Sequence, residues 1–423
     1  MRKFIQFIGM GVFALTLAAC TGSPGTSGST GNGDQQITLH VVAFEGGGTE
    51  LASIPEINAD FEKAYPNITL DYQYVSNSEY DQYNNTRLAA GTAADVLMTN
   101  PTRVQQWQKQ GYLADLSDQP WVSQVVDNVV PFGQIDGKTW AFTQQNIPIG
   151  FFANMDILNK AGITEVPQDF PQLLSDLQTL KDAGQPGLLL ANQTGWTGEQ
   201  LTICLAANML PDTWGAGYDT GSSSWYPTYT PVFDAIKQLL QPEGTVDGNL
   251  MNGIEPFNTG NSQFAAGNWA FTVMGAWQLQ NFEDTATFDF TFNPFPGGTA
   301  GSQPYGVTFV GSGWGVNADS PNQEAAKDYV AFMAQPDNDS RYLAAENSFT
   351  TLKNVPSPEM AKAASYVDAF NAGRTQVSPI EFLHYPTYEN EFWKVSTSMF
   401  NDPSQSTASL LQTLDSTIPK TPA

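Results

Sequence analysis

Histidine and cysteine, which carry much of the acid–base, nucleophilic and metal chemistry of proteins, are scarce in this 423-residue chain, with two of each. Its two histidines are His40 and His384, so a histidine metal site or a Ser–His catalytic pair would have to use one of them. His40 lies in the first predicted strand, where a structural histidine is expected. The sequence contains no HExxH, CxxC, P-loop or G-x-S-x-G motif. We therefore predict no catalytic residue, no metal and no cofactor.

Two short stretches approach ligand-binding motifs without completing them. Residues 337–341 (DNDSR) lack the glycine and the distal glutamate of an EF-hand calcium loop. Residues 311–315 (GSGWG) do not form G-x-G-x-x-G ahead of a helix, which argues against a phosphate cradle. With 42 Asp and Glu residues, some carboxylates must lie close together. Counting them neither supports nor excludes the paired acids of a glycoside hydrolase.

Aromatic residues are abundant where catalytic types are scarce. Phe, Trp and Tyr make up 12% of the chain, with ten tryptophans, which suggests a ligand with apolar faces and polar edges. The formal net charge of −25 argues against nucleic acid as a partner, because phosphates would be repelled. With 17 Lys and Arg residues, electrostatic attachment to anionic lipid is equally disfavoured.

The N-terminus combines a basic start with a short apolar run over residues 4–17, which predicts a secretory signal peptide. The following residues, LAAC (17–20), resemble the lipobox of bacterial lipoproteins. The resemblance implies a lipoprotein signal peptide over 1–20 and a lipid on Cys20, which would anchor an extracytoplasmic protein to the cell membrane. The alternative is an ordinary signal peptide with a chance cysteine. Residues 21–35 form a Gly/Ser/Thr-rich stretch that predicts a flexible tether.

From residue 36 onward, strand and helix patterns alternate. Residues 37–44 form a near-continuous apolar run, a helical spacing of apolar residues follows, and residues 68–75 alternate as a strand should. This order predicts a β–α–β unit with parallel strands. Cys204 lies on an apolar helical face and predicts a buried, inert thiol. The whole pattern predicts an α/β protein with mainly parallel sheets.

Six segments of the mature chain resemble family 1 extracellular solute-binding proteins, the carbohydrate-capturing lipoproteins of ABC importers. Their order and spacing carry the resemblance more than any single motif does. The segments are residues 41–75, 89–100 (AAGTAADVLMTN), 147–184, 257–277 (FNTGNSQFAAGNWAFTVMGAW), 310–337 and 391–400 (EFWKVSTSMF).

The resemblance implies a two-lobed periplasmic-binding-protein-like fold. Each lobe would be a mainly parallel sheet flanked by helices, with the ligand in the cleft between them. The limits implied are 36–145 and 306–352 for lobe one, 146–305 and 353–423 for lobe two, and 144–148, 303–306 and 350–354 for the hinge.

The family's function would be to capture an oligosaccharide and deliver it to ABC permease subunits in the membrane, as a monomer and without chemistry. A sugar suits the composition, because its C–H face stacks on aromatic rings and its hydroxyls bind carboxylate and amide groups. Amino acids or peptides would usually need an arginine clamp, and basic residues are few here. A secreted glycoside hydrolase and a surface adhesin or sensor are the alternatives.

The expected ligand contacts come from both lobes and the hinge, and each has a structural alternative. Glu45 and Asn100 end strands of lobe one, where a solvated loop acid and a turn residue are the alternatives. Gln145 and Asn146 lie in a hinge strand, where they could instead hydrogen-bond neighbouring strands. The remaining candidates come from lobe two, with core packing as the alternative for the tryptophans and a surface loop for the histidine: Trp196, Trp277, Trp393 and His384.

Overall fold

The computed structural model describes residues 36–44, 51–211, 214–219, 221–378 and 388–418. Within these ranges the strands are β1 (Ile37–Ala43), β2 (Ile68–Tyr74), β3 (Val96–Thr99), β4 (Gln134–Ile135), β5 (Lys138–Thr139), β6 (Phe142–Thr143), β7 (Gln145–Asn154), β8 (Leu188–Leu189), β9 (Phe271–Gly275), β10 (Phe290–Asn293), β11 (Gly306–Val310), β12 (Gly313–Val316), β13 (Phe349–Thr350) and β14 (Thr375–Val377).

The α-helices in the same ranges are α1 (Ile54–Ala64), α2 (Asn77–Ala89), α3 (Pro101–Lys109), α4 (Val130–Gly133), α5 (Met155–Lys160), α6 (Phe170–Asp182), α7 (Trp196–Met209), α8 (Trp214–Asp219), α9 (Thr230–Leu239), α10 (Gly248–Met251), α11 (Asn261–Ala265), α12 (Leu279–Thr285), α13 (Gln323–Met333), α14 (Pro336–Glu346), α15 (Ala364–Asn371), α16 (Tyr388–Asn401) and α17 (Thr407–Thr417). None of these described helices is long and apolar enough to cross a membrane.

The first sheet has the strand order β2-β1-β3-β12-β6. Helix α1 begins with a proline in its first turn and buries Ile54, Ile57 and Phe61 at helical spacing. Strands β1 and β2 precede and follow this helix in the sequence and pair with each other in parallel, as the sequence predicts. Strand β3 also pairs in parallel with β1. Strands β12 and β6 complete the sheet with antiparallel pairs.

The second sheet is organised around β7, whose ten residues are all buried. Its main order is β14-β11-β7-β9-β8, and β10 and β13 also pair with β7. All the pairs that β7 makes are antiparallel, so the expectation of a mainly parallel sheet is wrong for this lobe. The physical reason is the route of the chain, since β7 enters this sheet from the first one and β11 returns toward it. A continuous apolar run predicts a buried strand but carries no information on its direction.

Each sheet has its own hydrophobic core, so the molecule is two-lobed. The first core includes Trp107 and Trp314, both of which are completely buried. The second core is larger and is built around the phenylalanines of β7, β9 and β10. Because each core is self-contained, the segments that cross between the sheets decide how the lobes are joined.

The chain crosses between the sheets in three described places. The first crossing joins β6 to β7 at Gln144, and the second joins β11 to β12 at Gly311 and Ser312. The sequence places the second crossing at residues 303–306, whereas β11 still pairs with β7, so the chain leaves the second sheet after that strand. At the third crossing, β13 pairs with β7 while Leu352 packs in the first core.

Two buried glutamine side chains tie these crossings together. The Gln145 Oε1 accepts hydrogen bonds from the Ser312 backbone N–H at 2.8 Å and the Ser312 hydroxyl at 2.7 Å. Its Nε2 donates to the Glu346 carboxylate at 3.0 Å. The neighbouring Gln144 donates to Asp339 at 3.2 Å and accepts from the Trp314 indole at 2.7 Å. Adjacent amides thus connect the first crossing to the second and to α14, where Asp339 also accepts from the Thr350 hydroxyl of the third crossing at 2.7 Å.

The carboxyl groups in this network are buried, and burial changes how they titrate. Burial raises the pKa of Asp339 to about 6, although hydrogen bonds from Thr350 and Gln144 act in the opposite direction. Burial likewise raises the pKa of Glu346 against the hydrogen bond from Gln145. Since a buried carboxylate without a donor is strongly disfavoured, the two amides are structural requirements of the hinge.

Candidate functional site

Trp277 lies where β9 ends, near the hinge side of the second sheet. Gly275, the last residue of β9, pairs with Ile149, and Phe309 pairs with Ile147 closer to the start of β7. The Trp277 ring folds back over Gly275, where an added Cβ would come within 1.8 Å of it. The ring stays partly exposed and meets Phe309 edge-on at a centroid distance of 5.8 Å.

Trp196 opens α7, which begins after the turn that follows β8. The preceding Gly195 has a φ of 87°, a left-handed conformation that a side chain would disfavour. The Trp196 ring is partly exposed and lies 6.2 Å from the Trp277 ring centroid. Trp196 also contacts Phe257, and the centroids of these two rings are 4.8 Å apart. Phe257 is 44% exposed. We call Trp196, Phe257, Trp277 and Phe309 the aromatic surface.

Trp393 reaches this region from α16. A Cβ on Gly195 would lie 2.5 Å from the Trp393 carbonyl oxygen, and one on Gly198 would lie 2.0 Å from the Ser396 hydroxyl. Gly195 therefore lets the backbone of α16 approach the start of α7, and Gly198 leaves room for the Ser396 side chain, which together place Trp393 next to the start of α7. Trp393 is partly exposed, so the structure brings all three predicted tryptophans into one region.

Phe257 is a residue that sequence reasoning missed. It lies in a π-helical turn over Pro256–Gly260, and the Glu255 carboxylate accepts from the backbone N–H groups of residues 257, 258 and 259 at 2.7–3.1 Å. Burial is the largest single effect and raises the pKa of Glu255, but the hydrogen bonds together outweigh it and hold the pKa below its usual value. A signal was available, because Phe257 has turn-forming neighbours on both sides, as Trp196 does. The same turn borders a shallow depression of about 390 Å³, lined by Asn258, Thr259, Ser262, Gln263 and Asn268.

The first-lobe and hinge candidates have structural tasks of their own. Asn100 caps α3, with its Oδ1 accepting from the Arg103 N–H at 2.8 Å. Gln145 is 3% exposed, and both the oxygen and the nitrogen of its side-chain amide form hydrogen bonds in the hinge. Asn146 shares a sheet face with Phe349, opposite to that of Gln145, and among the described residues its Oδ1 has no hydrogen-bond partner. Ligand contact by these residues stays a prediction.

Three other predicted residues lie outside the described ranges: Glu45, His384 and the proposed lipid-bearing Cys20. Cys204 is described, and its thiol is free and buried, as predicted. Burial raises the pKa of this thiol, which keeps it protonated and unreactive. In the part of the chain that the structure describes, no group of three His, Cys, Asp or Glu residues could hold a metal ion.

Glu199 is a second residue that the sequence did not single out. Glu199 as a whole is 8% exposed, and its carboxylate accepts hydrogen bonds from the Trp393 Nε1–H at 2.6 Å and the Tyr388 hydroxyl at 2.8 Å. Burial raises its pKa to about 7, and the charge of Glu389 adds to this effect. The two hydrogen bonds act in the opposite direction by stabilising the ionised form.

The raised pKa of Glu199 predicts that the free energy of unfolding falls as the pH rises from about 4.5 to about 7. In this window the folded protein binds a proton that the unfolded chain has released, so ionisation opposes folding. The contribution is about 3 kcal/mol for a shift of this size. Urea unfolding at pH 5 and pH 8 measures it, and Glu199→Gln should lose less stability between these values than the wild type.

Glu391→Gln is the matched control for this measurement, because Glu391 lies on α16 and pairs with Lys394 near the surface. This variant should keep the wild-type dependence on pH. If Glu199→Gln and Glu391→Gln both followed the wild type, Glu199 would not be the group that titrates in this window.

Comparison with known proteins identifies the class to which these features belong. The family model for bacterial extracellular solute-binding proteins matches residues 46–340. The melibiose/raffinose/stachyose-binding protein MelE of Bacillus subtilis (strain 168) is 24% identical over 78% of this chain and 78% of its own. The diacetylchitobiose-binding protein DasA of Streptomyces coelicolor is 23% identical over 90% of this chain and 89% of its own.

A solved structure supports the same assignment at the level of the fold. A family 1 extracellular solute-binding protein from Bifidobacterium longum subsp. infantis superposes with a TM-score of 0.72 at 20% identity, over 91% of this chain and 99% of that one. The two-lobed α/β fold is therefore confirmed. Since the family model matches well over half of the sequence, the chain belongs to the bacterial extracellular solute-binding protein family.

Proposed function

We propose that this protein is the lipid-anchored binding component of an ABC importer, which captures an oligosaccharide between its lobes and delivers it unchanged to permease subunits. The observation that carries the proposal is the aromatic surface together with Trp393. Three tryptophans from distant parts of the sequence are held partly exposed in one region of the second lobe. Single partly exposed tryptophans are common, but several aromatic rings exposed side by side are typical of a surface that binds a ligand or partner.

The chemistry of the surface favours a sugar. Indole and phenyl faces bind the C–H face of a pyranose, while neighbouring carboxylate and amide groups bind its hydroxyl rim. Within the aromatic surface, consecutive ring centroids are 4.8–6.2 Å apart and neighbouring rings are tilted against each other. Several separate ring faces suit a ligand with several sugar rings better than a monosaccharide.

The relatives support an oligosaccharide as well. MelE is named for binding melibiose, raffinose and stachyose, and DasA is named for binding diacetylchitobiose. These sugars differ in their linkages and substituents, so they suggest a class of ligand and a set of probes. We accordingly choose raffinose, stachyose and diacetylchitobiose as test ligands.

Capture requires contacts from both lobes. We assign residues 36–145 and 311–352 to lobe one and residues 146–310 and 353–423 to lobe two, because β11 pairs with β7 in the second sheet. Glu45 and Asn100 would contact the sugar from lobe one, with His384 and the tryptophans doing so from lobe two. A ligand that touches both lobes binds the closed form better than the open one, and this difference drives closure.

The first test is removal of the central ring. Trp277→Ala should weaken the binding of whichever probe the wild type binds by about 2 kcal/mol or more, the scale of losing a buried aromatic anchor. Isothermal titration calorimetry measures the affinity. Trp140→Ala is the control, because Trp140 is also half-buried but packs against the first core. Unchanged affinity in a folded Trp277→Ala protein would show that Trp277 has a packing role and does not contact the sugar.

The second test concerns closure. Small-angle X-ray scattering should give a smaller radius of gyration with a saturating probe sugar than without it, since closure brings the lobes together. Chromatography of the same sample should recover the sugar intact. A scattering curve unchanged at saturation would instead indicate a rigid lectin-like module, and release of shorter sugars would indicate a hydrolase.

The third test concerns the anchor, which depends on the motif at residues 17–20. Wild-type protein made in a bacterium should partition into the detergent phase of Triton X-114, because a diacylglycerol-type lipid on Cys20 buries its chains in micelles. Cys20→Ala should remain uncleaved or be released into the aqueous phase or medium. A cleaved Cys20→Ala protein that still entered the detergent phase would overturn the assignment of Cys20 as the lipid attachment site.

A further inference from the structure

Glu199 is a buried acid that the stacking of a sugar does not by itself explain. Its side chain is 8% exposed, and among the ion pairs between described residues none includes it. Buried carboxylates without a cation are uncommon, because removal from water destabilises the charge. A hydrophobic residue of similar size would fill the same space at a lower electrostatic penalty. A specific interaction must therefore explain why an acid occupies this buried position.

The hydrogen bonds of Glu199 connect two helices that are far apart in sequence. Glu199 lies in the first turn of α7, and both of its donors, Tyr388 and Trp393, lie on α16. The Trp393 bond is short, at 2.6 Å, as expected when a carboxylate accepts. Tyr388 is itself held, because its ring lies parallel to that of buried Trp225 at 6.3 Å.

Packing between the helices holds the backbone of Trp393 but does not by itself set the orientation of its indole ring. Gly195 packs directly against the backbone and Cβ of Trp393, and Gly198 packs against the Ser396 side chain, so the Cα and Cβ of Trp393 are held by close packing. The indole can still rotate about its two side-chain torsions. A hydrogen bond at Nε1, at the ring edge, selects one orientation of the ring plane. Glu199 supplies that bond.

We propose that Glu199 is a positioning residue for oligosaccharide binding, which holds the Trp393 indole by its N–H so that one ring face stays presented to the sugar. The inference rests on the proposed function and adds to it. It assigns the indole N–H to the protein, so Trp393 offers the ligand its face and not its hydrogen-bond donor. Glu199 itself does not contact the sugar.

The test compares two substitutions at Glu199 in the full chain. In Glu199→Gln the amide oxygen accepts from Trp393 and the amide N–H can donate to the Tyr388 hydroxyl, so the ring stays held. In Glu199→Leu both bonds are lost. Calorimetry with raffinose, stachyose and diacetylchitobiose should show affinity about tenfold weaker for Glu199→Leu, and Glu199→Gln should recover most of that loss.

A double-mutant cycle separates positioning from a general loss of structure. If Glu199 acts through Trp393, Glu199→Leu should weaken binding in the wild type but change little in a Trp393→Ala background. Equal losses in both backgrounds would overturn the proposal, as would wild-type affinity in a folded Glu199→Leu protein. Failure of Glu199→Gln to recover affinity would also count against it.

A spectroscopic measurement keeps the proposal testable without sugar or Glu199→Leu. In protein labelled with ¹⁵N-tryptophan, Trp393→Phe identifies the Trp393 indole N–H resonance by its disappearance. At pH 8 or above, where Glu199 is ionised, that resonance should lie downfield in the wild type and move upfield in Glu199→Gln, because a charge-assisted bond becomes a neutral one. An unmoved resonance would overturn the positioning role. If the wild type bound none of the sugars while the resonance still moved, the proposed function would fail and the Glu199–Trp393 contact would stand.

Discussion

The constraint on which the rest of the structure depends is the passage of one chain between two separate hydrophobic cores. At the start of β7, Gln144 and Gln145 use their side-chain amides to satisfy Asp339 and Glu346, which are buried beside the crossing segments. Leaving one such buried group without its partner costs about 1–3 kcal/mol or more. The hydrogen bonds therefore hold the crossings together while leaving each core intact, as a hinge between two lobes requires.

The same chemical solution recurs away from the hinge. Buried carboxyls at Asp339, Glu346 and Glu199 accept from amide, hydroxyl, phenol and indole groups, none of which carries a charge. A chain with 42 acidic and 17 basic residues has few cations to place inside. Neutral donors offset burial only in part, which is why the pKa of each of these acids is raised. The crossing segments and the surroundings of Trp393 thus share one electrostatic character.

Local patterns in the sequence were sufficient for much of the fold and for part of the site. The β1–α1–β2 unit follows from apolar spacing, a helix-starting proline and strand alternation, all of which act within a few residues. Trp277 follows a strand and Trp196 is surrounded by turn residues, and such contexts keep large rings from being wholly buried. The family resemblance, carried by segments in order along the chain, predicted the two lobes.

Tertiary structure decided what depends on residues far apart. Strand β7 runs antiparallel to β9 and β11 because of the path of the chain between the lobes. The apolar composition of a strand does not determine whether it pairs in parallel or antiparallel. The bond between Glu199 and Trp393 joins residues 194 positions apart, and the close approach of α16 to the start of α7 at Gly195 and Gly198 makes it possible. The sequence alone determined which residue types were available, whereas their orientation came from packing, because packing brings distant helices to within hydrogen-bond distance.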